Sequence, residues 1–333
     1  MNVVVLCGGA GSKRYVSLST GYWVSQALEK FGHQATVIDP VAWPDAPNIT
    51  PDVLEPGDPD DPTLKEKEEA CYKSVDFWEQ CMQADVVLNA FYGGIGANGT
   101  VTRYLRAHEL KTTGGNRLYC CRGQDIGHVY ADVAGFWVNT PRSASLQLRW
   151  DGRGMPISEM IAEALGPTVV LRQRKPECNE GEYLAEGQQD IANKLKFFKE
   201  DVVVEEYFSG KELTVGVLHD TALPVLEKRY SGRRFDEQGK YVGEGKHYVF
   251  PAEVPEELQA QAQEKAVLAV AAVAREDPAY GKVDFILDTQ GRLRLHGFTP
   301  LPVLLPDSAM GIAAAKSGMG YEGMIQRLLD IAF

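Results

Sequence analysis

The residues with the clearest chemical meaning lie between two apolar segments near the middle of the chain. A valine-rich run, residues 202–204, ends in the adjacent carboxylates Glu205 and Glu206. A Ser-Gly-Lys turn follows, and Glu212 begins the next apolar run, residues 213–218. Such a hinge presents a backbone edge and acidic side chains that can hydrogen-bond the base and the ribose of a nucleotide. The alternative interpretation is that a hinge glutamate forms a structural contact with another residue of the protein.

A second chemical signal lies in residues 282–299. The residues 288–291 predict a hairpin turn between two strands, with Asp284 on the first strand and His296 on the second. Carboxylate oxygens are hard ligands of the kind that divalent cations prefer. For His296, a packing role in the strand is the alternative to a functional one.

Two glycine-rich loops each follow a short apolar run. The first loop covers residues 7–12, and the second covers residues 92–100. Neither loop has GxGxxG or GxxxxGK[ST] spacing, which argues against a Rossmann dinucleotide fold and a P-loop. In open α/β sheets, ligands bind at the carboxyl ends of the strands, where these loops are expected to lie.

The elements around these loops follow from hydrophobic periodicity. The pattern is weak over residues 122–165, and a Pro- and Asp-rich connection is predicted over residues 40–62. Strands are predicted at residues 2–6, 35–38, 85–91, 169–171, 202–204, 213–218, 223–228, 282–287 and 292–296. Helices are predicted at residues 17–31, 63–83, 101–110, 188–198, 255–275 and 309–332. A polar loop is predicted at residues 231–246.

Composition limits the classes of function. The chain has 333 residues, 44% of them hydrophobic, and a net charge of −12, which disfavours non-specific binding to nucleic acid or to an anionic membrane. No apolar run approaches the length of a membrane-spanning helix, and no signal sequence is visible, so a cytoplasmic protein is expected. The six cysteines lack CxxC spacing, which predicts reduced thiols.

Four segments together resemble the D-alanine–D-alanine ligases, which are ATP-grasp enzymes. They are residues 5–21, the hinge at 205–218, the loop residues 235–241 and the strand residues 281–288. The resemblance is strong over residues 1–39, 202–241 and 279–326 and weak over 112–165. It implies an α/β (α+β) chain with the ATP-grasp fold. An N-terminal open parallel α/β domain (1–121) would precede a small central subdomain (122–204) and a C-terminal subdomain (205–333).

The resemblance also implies roles for individual residues, ATP and Mg²⁺ (or Mn²⁺) as cofactors, and small amino-acid-like substrates. Lys282 would stabilise the tetrahedral intermediate, Lys240 would contact the transferred phosphate, and Tyr241 would close a lid. The remaining candidates are Lys13, Tyr92 and Ser308 for the substrate, Lys175, Arg172, Glu205, Tyr207, Phe208 and Glu212 for the nucleotide, and Asp284 and His296 for the metal.

The chain departs from the family at several charged positions. Lys13 stands where the family has the glutamate that holds the substrate ammonium, which inverts the expected ligand charge. Tyr92 replaces a histidine, and Lys282 replaces an arginine. His296 replaces a glutamate, and Phe298 or Thr299 replaces an asparagine. The loss of these oxygen ligands predicts that ATP and metal binding are weakened or lost.

Two functions follow from this mixture. The first is an ATP-dependent carboxylate–amine ligase, an amino-acid or dipeptide ligase that forms an acylphosphate on a non-standard substrate, expected as a homodimer. The second is a degenerate relative that binds a small molecule or partners an active ligase. ATP-independent chemistry at Lys13, Tyr92, His296 or Cys7 is a third possibility. The hinge, Lys240, Tyr241 and Asp284 favour the ligase, and the replaced residues favour degeneracy.

Overall fold

The computed structural model describes residues 1–45, 61–147, 154–175, 181–275 and 277–333. Its strands are β1 (Asn2–Leu6), β2 (Gln34–Ile38), β3 (Val86–Asn89), β4 (Ser143–Leu146), β5 (Thr168–Gln173), β6 (Glu182–Glu186), β7 (Val202–Glu206), β8 (Gly210–Leu218), β9 (Thr221–Ala222), β10 (Leu226–Tyr230), β11 (Lys246–Val249), β12 (Tyr280–Asp288) and β13 (Leu293–Thr299).

The helices alternate with these strands. They are α1 (Arg14–Lys30), α2 (Pro62–Lys73), α3 (Val75–Met82), α4 (Gly94–Ala97), α5 (Thr100–Ala107), α6 (Arg117–Gly123), α7 (Ile126–Val133), α8 (Gly154–Leu165), α9 (Gly187–Leu195), α10 (Glu256–Ala274), α11 (Ala309–Lys316) and α12 (Gly320–Asp330), with a 3-10 turn at Ala134–Phe136. None of the helices in the described part of the chain is long and apolar enough to cross a membrane.

The first sheet is parallel, in the order β2-β1-β3. Its central strand β1 is apolar on both faces because helices cover both sides, as expected for a parallel sheet. Leu28 of α1 belongs to the core on one side, and Phe77 of α3 belongs to the core on the other. The carboxyl ends of β1 and β3 run into the two glycine-rich loops, where Gly8 and Gly9 adopt φ of +71° and +78°.

The second sheet is antiparallel, in the order β4-β7-β5-β6, and packs against α8 and α9. Its small core contains Val202 and Val204 of β7, Leu171 of β5, and Ile191 of α9. This packing buries the strand that leads into the hinge. The position of Glu205 is therefore fixed by the apolar residues that precede it.

The third sheet positions most of the polar residues of interest. Its order is β11-β10-β8-β12-β13, with β9 paired to β8, and all its pairings are antiparallel. Alternation along the strands places Leu213, Val215 and Phe285 in the core beneath α10. The opposite face carries the cross-strand pairs Asp284–Thr214 and Lys282–Gly216.

A register shift in β13 explains the position of His296. Asp284 pairs with Gly297, but the next residue of β12, Phe285, pairs with Leu295. His296 is therefore the extra residue of a β-bulge, which redirects its side chain relative to a regular strand. The predicted hairpin at residues 288–291 is confirmed, because β12 and β13 are antiparallel neighbours.

Two predicted helices were wrong in extent. The predicted helix 63–83 is two helices, because Ser74 adopts extended dihedrals (φ −79°, ψ 132°) between α2 and α3. The predicted helix 309–332 is also two helices, since Gly318 takes φ of +83° between α11 and α12. The predicted strand 223–228 begins only at Leu226, two residues after Pro224, which has no N–H to donate.

Other elements differ from the sequence-based boundaries. Helix α6 and strands β6, β9 and β11 were not predicted, and the weakly patterned region contains α7, β4 and α8. Residues 46–60 of the predicted connection, and Cys178, lie outside the described residues. The three sheets fall close to the proposed domains, although β7 continues to Glu206, past the proposed boundary at residue 204. Those boundaries remain a prediction.

The C-terminal helix α12 ties the third sheet to the first domain, because it packs against both α11 and α1. Its Met324 is fully buried. We predict that Met324→Ala lowers the free energy of unfolding by about 2–5 kcal/mol, since the truncation leaves a cavity. Urea denaturation measures this change. The control Met160→Ala, at a 69% exposed position of α8, is expected to stay within about 0.5 kcal/mol of the wild type. Equal losses in both variants would contradict this packing.

Candidate functional site

The main polar cavity lies over the polar face of the third sheet. It has a volume of about 570 Å³, within the range of small-molecule sites. Its floor comes from β10 and β12, and its far wall comes from the turn before α11 and the start of that helix. The lining residues are Tyr92, Lys228, Tyr241, Lys246, His247, Tyr248, Lys282, Asp284, Thr299, Pro302, Val303, Leu305, Asp307, Ser308, Ala309, Met310 and Ile312.

Asp284, the predicted metal ligand, is already occupied by protein donors. The Lys282 ammonium group forms a short ion pair with Asp284 Oδ2, and the Thr214 hydroxyl donates to Oδ1 at 2.6 Å. Burial opposes ionisation of this carboxyl, but Lys282 and Lys228 overcome that effect and hold its pKa well below the ordinary value. Asp284 is therefore a charged, buried partner of lysines.

Lys228 is the centre of the same charged face. Its ammonium group lies 2.7 Å from Glu212 Oε2, and its side chain is almost fully buried. Burial lowers the pKa of Lys228, but Asp284 and Glu212 raise it well above the ordinary value, so the group stays charged. The cavity is lined by three lysines (Lys228, Lys246 and Lys282) and two carboxylates (Asp284 and Asp307), and Glu212, which pairs with Lys228, adds a third carboxylate to this face.

The described residues do not fit a divalent metal site. No group of three or more His, Cys, Asp or Glu side chains arranged to hold a metal ion occurs among them. The one carboxylate at the predicted position is shared between Lys282 and Thr214. Mg²⁺ is commonly held by one or two carboxylates together with phosphate oxygens and waters, and the protein ligand expected here is already bound by an ammonium group and a hydroxyl.

His296 lies on a different cleft from Asp284, so the predicted pair is not brought together as a ligand set. Burial lowers the pKa of His296 to about 3, and Lys228 and Arg234 act in the same direction against Glu212. Its buried Nε2 has no hydrogen-bond partner in the described structure. Arg172 Nη1 donates to the backbone carbonyl of His296 at 2.8 Å.

The cleft beside the hinge is nearly filled. Arg172, Glu205, Glu206, Tyr207, Phe208, Arg234 and His296 line a space of only about 10 Å³. Pockets that enclose organic ligands typically have volumes of about 300–1,000 Å³. Four of the side chains that the sequence assigns to a nucleotide, Arg172, Glu205, Tyr207 and Phe208, therefore line a cleft too small in this structure for a base.

The carboxylate of Glu205 is held by internal partners. The Tyr130 hydroxyl donates to Oε1 at 2.9 Å, and Arg172 Nη2 lies 3.2 Å from Oε2. Burial raises the pKa of Glu205 to about 7, and Arg172 and Tyr130 oppose that increase. Glu205 and Arg172, both predicted nucleotide contacts, are brought together as a buried ion pair.

Glu212 and Phe208 are also engaged. Glu212 accepts from the Tyr230 hydroxyl at 3.0 Å and lies 2.8 Å from Arg234 Nη1, in addition to Lys228. The Arg294 guanidinium lies over the Phe208 ring at 4.2 Å from its centroid. These contacts correspond to the structural alternative for the hinge, in which its glutamates serve internal partners.

The predicted lid is folded onto the second sheet. The Tyr241 amide donates to the Glu182 carbonyl at 2.9 Å, and the Leu184 amide donates to the Gly239 carbonyl at 2.7 Å. The Tyr241 hydroxyl lies 3.3 Å from the Tyr230 hydroxyl, which provides a phenolic partner in place of the missing serine. Tyr241 therefore reaches the central cavity.

The other predicted residues divide between the cavity and the surface. Tyr92 and Ser308 line the cavity, and Ser308 caps α11 by accepting from the Gly311 amide at 3.2 Å. Lys240 is exposed and is not among the lining residues, and the exposed Lys175 lies on a separate surface depression. Lys13 precedes α1 and is likewise not among the residues that line the cavity.

Sequence reasoning missed Lys228, Lys246 and Thr214. Lys228 carries a usable signal, because it lies two residues after the buried Leu226 and therefore on the same face of β10, where a charged side chain is unusual. Its pairing with Glu212 depends on the register of β8 and β10, which the sequence does not show. Lys246 comes to the cavity through β11, which was not predicted.

The two α/β subdomains that meet at a hinge, together with the separate N-terminal parallel domain, define the ATP-grasp fold. Residues 183–330 match the family model described as the D-ala D-ala ligase C-terminus. The D-alanine–D-alanine ligase of Thermotoga maritima is 27% identical over 344 residues, covering 100% of this chain and 98% of that protein.

Solved structures agree on the fold. The D-alanine–D-alanine ligase of Bacillus anthracis superposes with a TM-score of 0.78 at 20% identity, over 100% of this chain and 97% of that one. The same enzyme complexed with ATP gives a TM-score of 0.75 at 19% identity, with the same coverage of both chains. The chain is therefore similar to the D-alanine–D-alanine ligases along its length and has the ATP-grasp fold. The relatives support an ATP-dependent ligase as the general class of activity.

The charged face generates a stability prediction. We expect Asp284→Asn to lower the free energy of unfolding by about 3 kcal/mol at neutral pH, because it leaves the Lys282 and Lys228 ammonium groups without their shared counter-charge. The folded-state pKa of Asp284 is depressed, so its contribution is complete above the unfolded-state pKa of about 3.9 and is lost as pH falls below it.

Urea unfolding of the wild type and of Asp284→Asn at several pH values tests this expectation. The difference should stay constant from pH 8 to about pH 5 and shrink below about pH 4. Asp307→Asn is the control, because Asp307 is exposed at the rim of the same cavity. A difference that disappears near neutral pH would contradict an ionised, lysine-bound Asp284.

Proposed function

We propose that this protein binds a small amino-acid-like carboxylate in the central cavity without ATP and without a divalent metal. One observation carries the proposal: Lys282 and Lys228 neutralise the carboxylate that would hold the metal. This is the degenerate alternative among the two functions that the sequence suggests. The nearly filled hinge cleft, at about 10 Å³, adds independent support.

The lysines supply the positive charge that a metal would otherwise provide. Lys228 and Lys282 are ordered by Glu212 and Asp284, and Lys246 adds a further ammonium group at the cavity wall. A charge-assisted hydrogen bond to a carboxylate is about twice as strong as a neutral one. An anionic ligand therefore gains from these groups without a metal ion.

The cavity wall formed by the start of α11 and the turn before it offers groups that can contact the rest of an amino-acid-like ligand. Ser308 begins α11 at the cavity wall, so the positive end of the helix dipole points toward the bound anion. Val303, Leu305 and Met310 provide apolar surface, and Tyr92 provides a phenol group that can hydrogen-bond a polar backbone. The mixed lining matches a molecule with one charged end and a small side chain.

The second candidate function is an ATP-dependent carboxylate–amine ligase that acts on a non-standard acid through an acylphosphate. Similarity over the full length of ligase relatives and the folded lid with Tyr241 favour it. For this reaction, Arg172 and Arg234 would have to leave the hinge so that a base could enter. The metal would also have to displace the ammonium group of Lys282 from Asp284.

Nucleotide binding separates the two functions. We expect isothermal titration of ATP with Mg²⁺ or Mn²⁺ to show no binding, and the melting temperature to stay unchanged, because a bound nucleotide would stabilise the folded state by mass action. The Thermotoga maritima ligase serves as the positive control. Binding of ATP, together with release of ADP that depends on an added amino acid, would contradict the proposal and establish the ligase.

Carboxylate binding tests the other half of the proposal. Amino acids and short dipeptides, and separately the corresponding C-terminal amides, are titrated into the protein in the presence of EDTA. We expect the carboxylate forms to bind, and Lys282→Met to weaken them about tenfold or more, since a charge-assisted contact is lost. The control is Lys199→Met, which removes an exposed lysine at a distant surface. Equal affinity for acids and amides, or binding that needs a divalent ion, would contradict it.

A further inference from the structure

The lysines of the central cavity differ in their partners. Lys228 lies 2.7 Å from Glu212, and Lys282 forms a short ion pair with Asp284. Within the part of the chain that the structure describes, no carboxylate forms an ion pair or a hydrogen bond with the side-chain nitrogen of Lys246, which lines the same cavity. Lys246 therefore offers its nitrogen to the cavity, whereas the other two nitrogens are bound by carboxylates of the protein.

Strand pairing places Lys246 on the same face of the third sheet as Lys228. In the antiparallel register of β10 and β11, Tyr230 is opposite Lys246, and Lys228 is opposite Tyr248. Opposite residues of two paired strands share a face, and so do alternate residues of one strand, so these four side chains lie on one face. Lys246 and Lys228 are diagonal neighbours, a relation in which residues are typically about 7–8 Å apart.

Two ammonium groups at this spacing repel each other, and the one with the weaker counter-charge loses its proton more easily. Burial opposes the charge of Lys228, but Asp284 and Glu212 raise its pKa well above the ordinary value. Burial lowers the pKa of Lys246 and Lys228 lowers it further, whereas Asp284 and Glu212 act in the opposite direction without restoring it. The other carboxylate of the lining, Asp307, is exposed at the rim. More of Lys246 is therefore neutral amine at neutral pH than for an ordinary lysine.

A partly desolvated lysine beside a second cation is a nucleophile for carbonyl carbon, with which it forms a Schiff base. The neighbouring Tyr248 also lines the cavity. Burial raises the pKa of its phenol to about 12, and Asp284 acts in the same direction, so the hydroxyl keeps its proton at neutral pH. A phenol in this state can donate a proton to an oxygen that leaves as water.

We propose that the central cavity binds a small 2-oxo acid and that Lys246 forms a reversible imine with its carbonyl carbon. The inference rests on the proposed function, because Lys282 and Lys228 hold the carboxylate of the oxo acid. The Lys246 nitrogen attacks the adjacent carbonyl carbon, a C=N bond replaces the C=O bond, and both hydrogens of the neutral amine leave with the oxygen as water. The step needs no oxidant, reductant, metal or nucleotide.

Trapping with sodium cyanoborohydride tests the imine, because this reagent reduces an imine to a stable secondary amine. The protein is incubated in EDTA with the reagent and either pyruvate or pyruvamide, with and without lactate, and peptide mass spectrometry locates the modified lysines. Pyruvamide lacks the carboxylate, and lactate lacks the carbonyl. The variants are Lys246→Arg and, as the matched control, Lys199→Arg, which changes an exposed lysine outside the cavity lining. Circular dichroism verifies that both are folded.

The expected labelling is selective. Pyruvate should modify Lys246 about tenfold or more faster than Lys199, since a decrease of about one in the pKa already gives tenfold more neutral amine. Pyruvamide should lose most of this preference, and lactate should slow the modification of Lys246 but not that of Lys199. The preferred site should be lost in Lys246→Arg and unchanged in Lys199→Arg.

Calorimetric titration of the wild type with lactate separates this inference from the proposed function. Binding of lactate without preferential modification of Lys246 by pyruvate would overturn the imine and leave carboxylate binding intact. No binding of lactate, together with equal labelling by pyruvate and pyruvamide, would contradict both the carboxylate site and the oxo acid. If Lys246→Arg does not fold, competition in the wild type decides, and labelling of Lys246 that lactate does not slow would overturn the proposal.

Discussion

The arrangement of the site depends on the ion-pair network of Lys282, Asp284, Lys228 and Glu212 across three neighbouring strands. Each of these charges is buried on the polar face of the third sheet, where an isolated charge would be costly. The network satisfies each charge with an opposite one and thereby leaves the carboxylates without free oxygens for a metal.

The buried glutamates of the hinge are also paired with opposite charges. They are buried by the apolar residues of β7 and β8, so each needs a counter-charge, and arginines provide it. Because Arg172 and Arg234 occupy the space beside the strand edge, the closure of the cleft is a consequence of charge satisfaction. In this structure the charged side chains of the hinge are therefore paired with one another.

The sequence predicted the fold well, because the apolar periodicity of β1, β8 and β12 and the family-like strings each point to the same elements. It also placed Lys282 and Asp284 on a strand and Ser308 directly before a helix. It did not predict their partners, since the pairing of Lys228 with Glu212 depends on strand register. The sequence also did not show the β-bulge at His296 in β13 or the break between α2 and α3 at Ser74. The backbone conformation at both places depends on tertiary packing.

The most direct measurement is an anomalous diffraction map from crystals grown with Mn²⁺ and a non-hydrolysable ATP analogue. The account predicts no manganese peak at Asp284, the Lys282 ammonium group still bound to that carboxylate, and Arg172 still paired with Glu205 in the hinge. A manganese peak on Asp284 with a purine stacked in the hinge would contradict it.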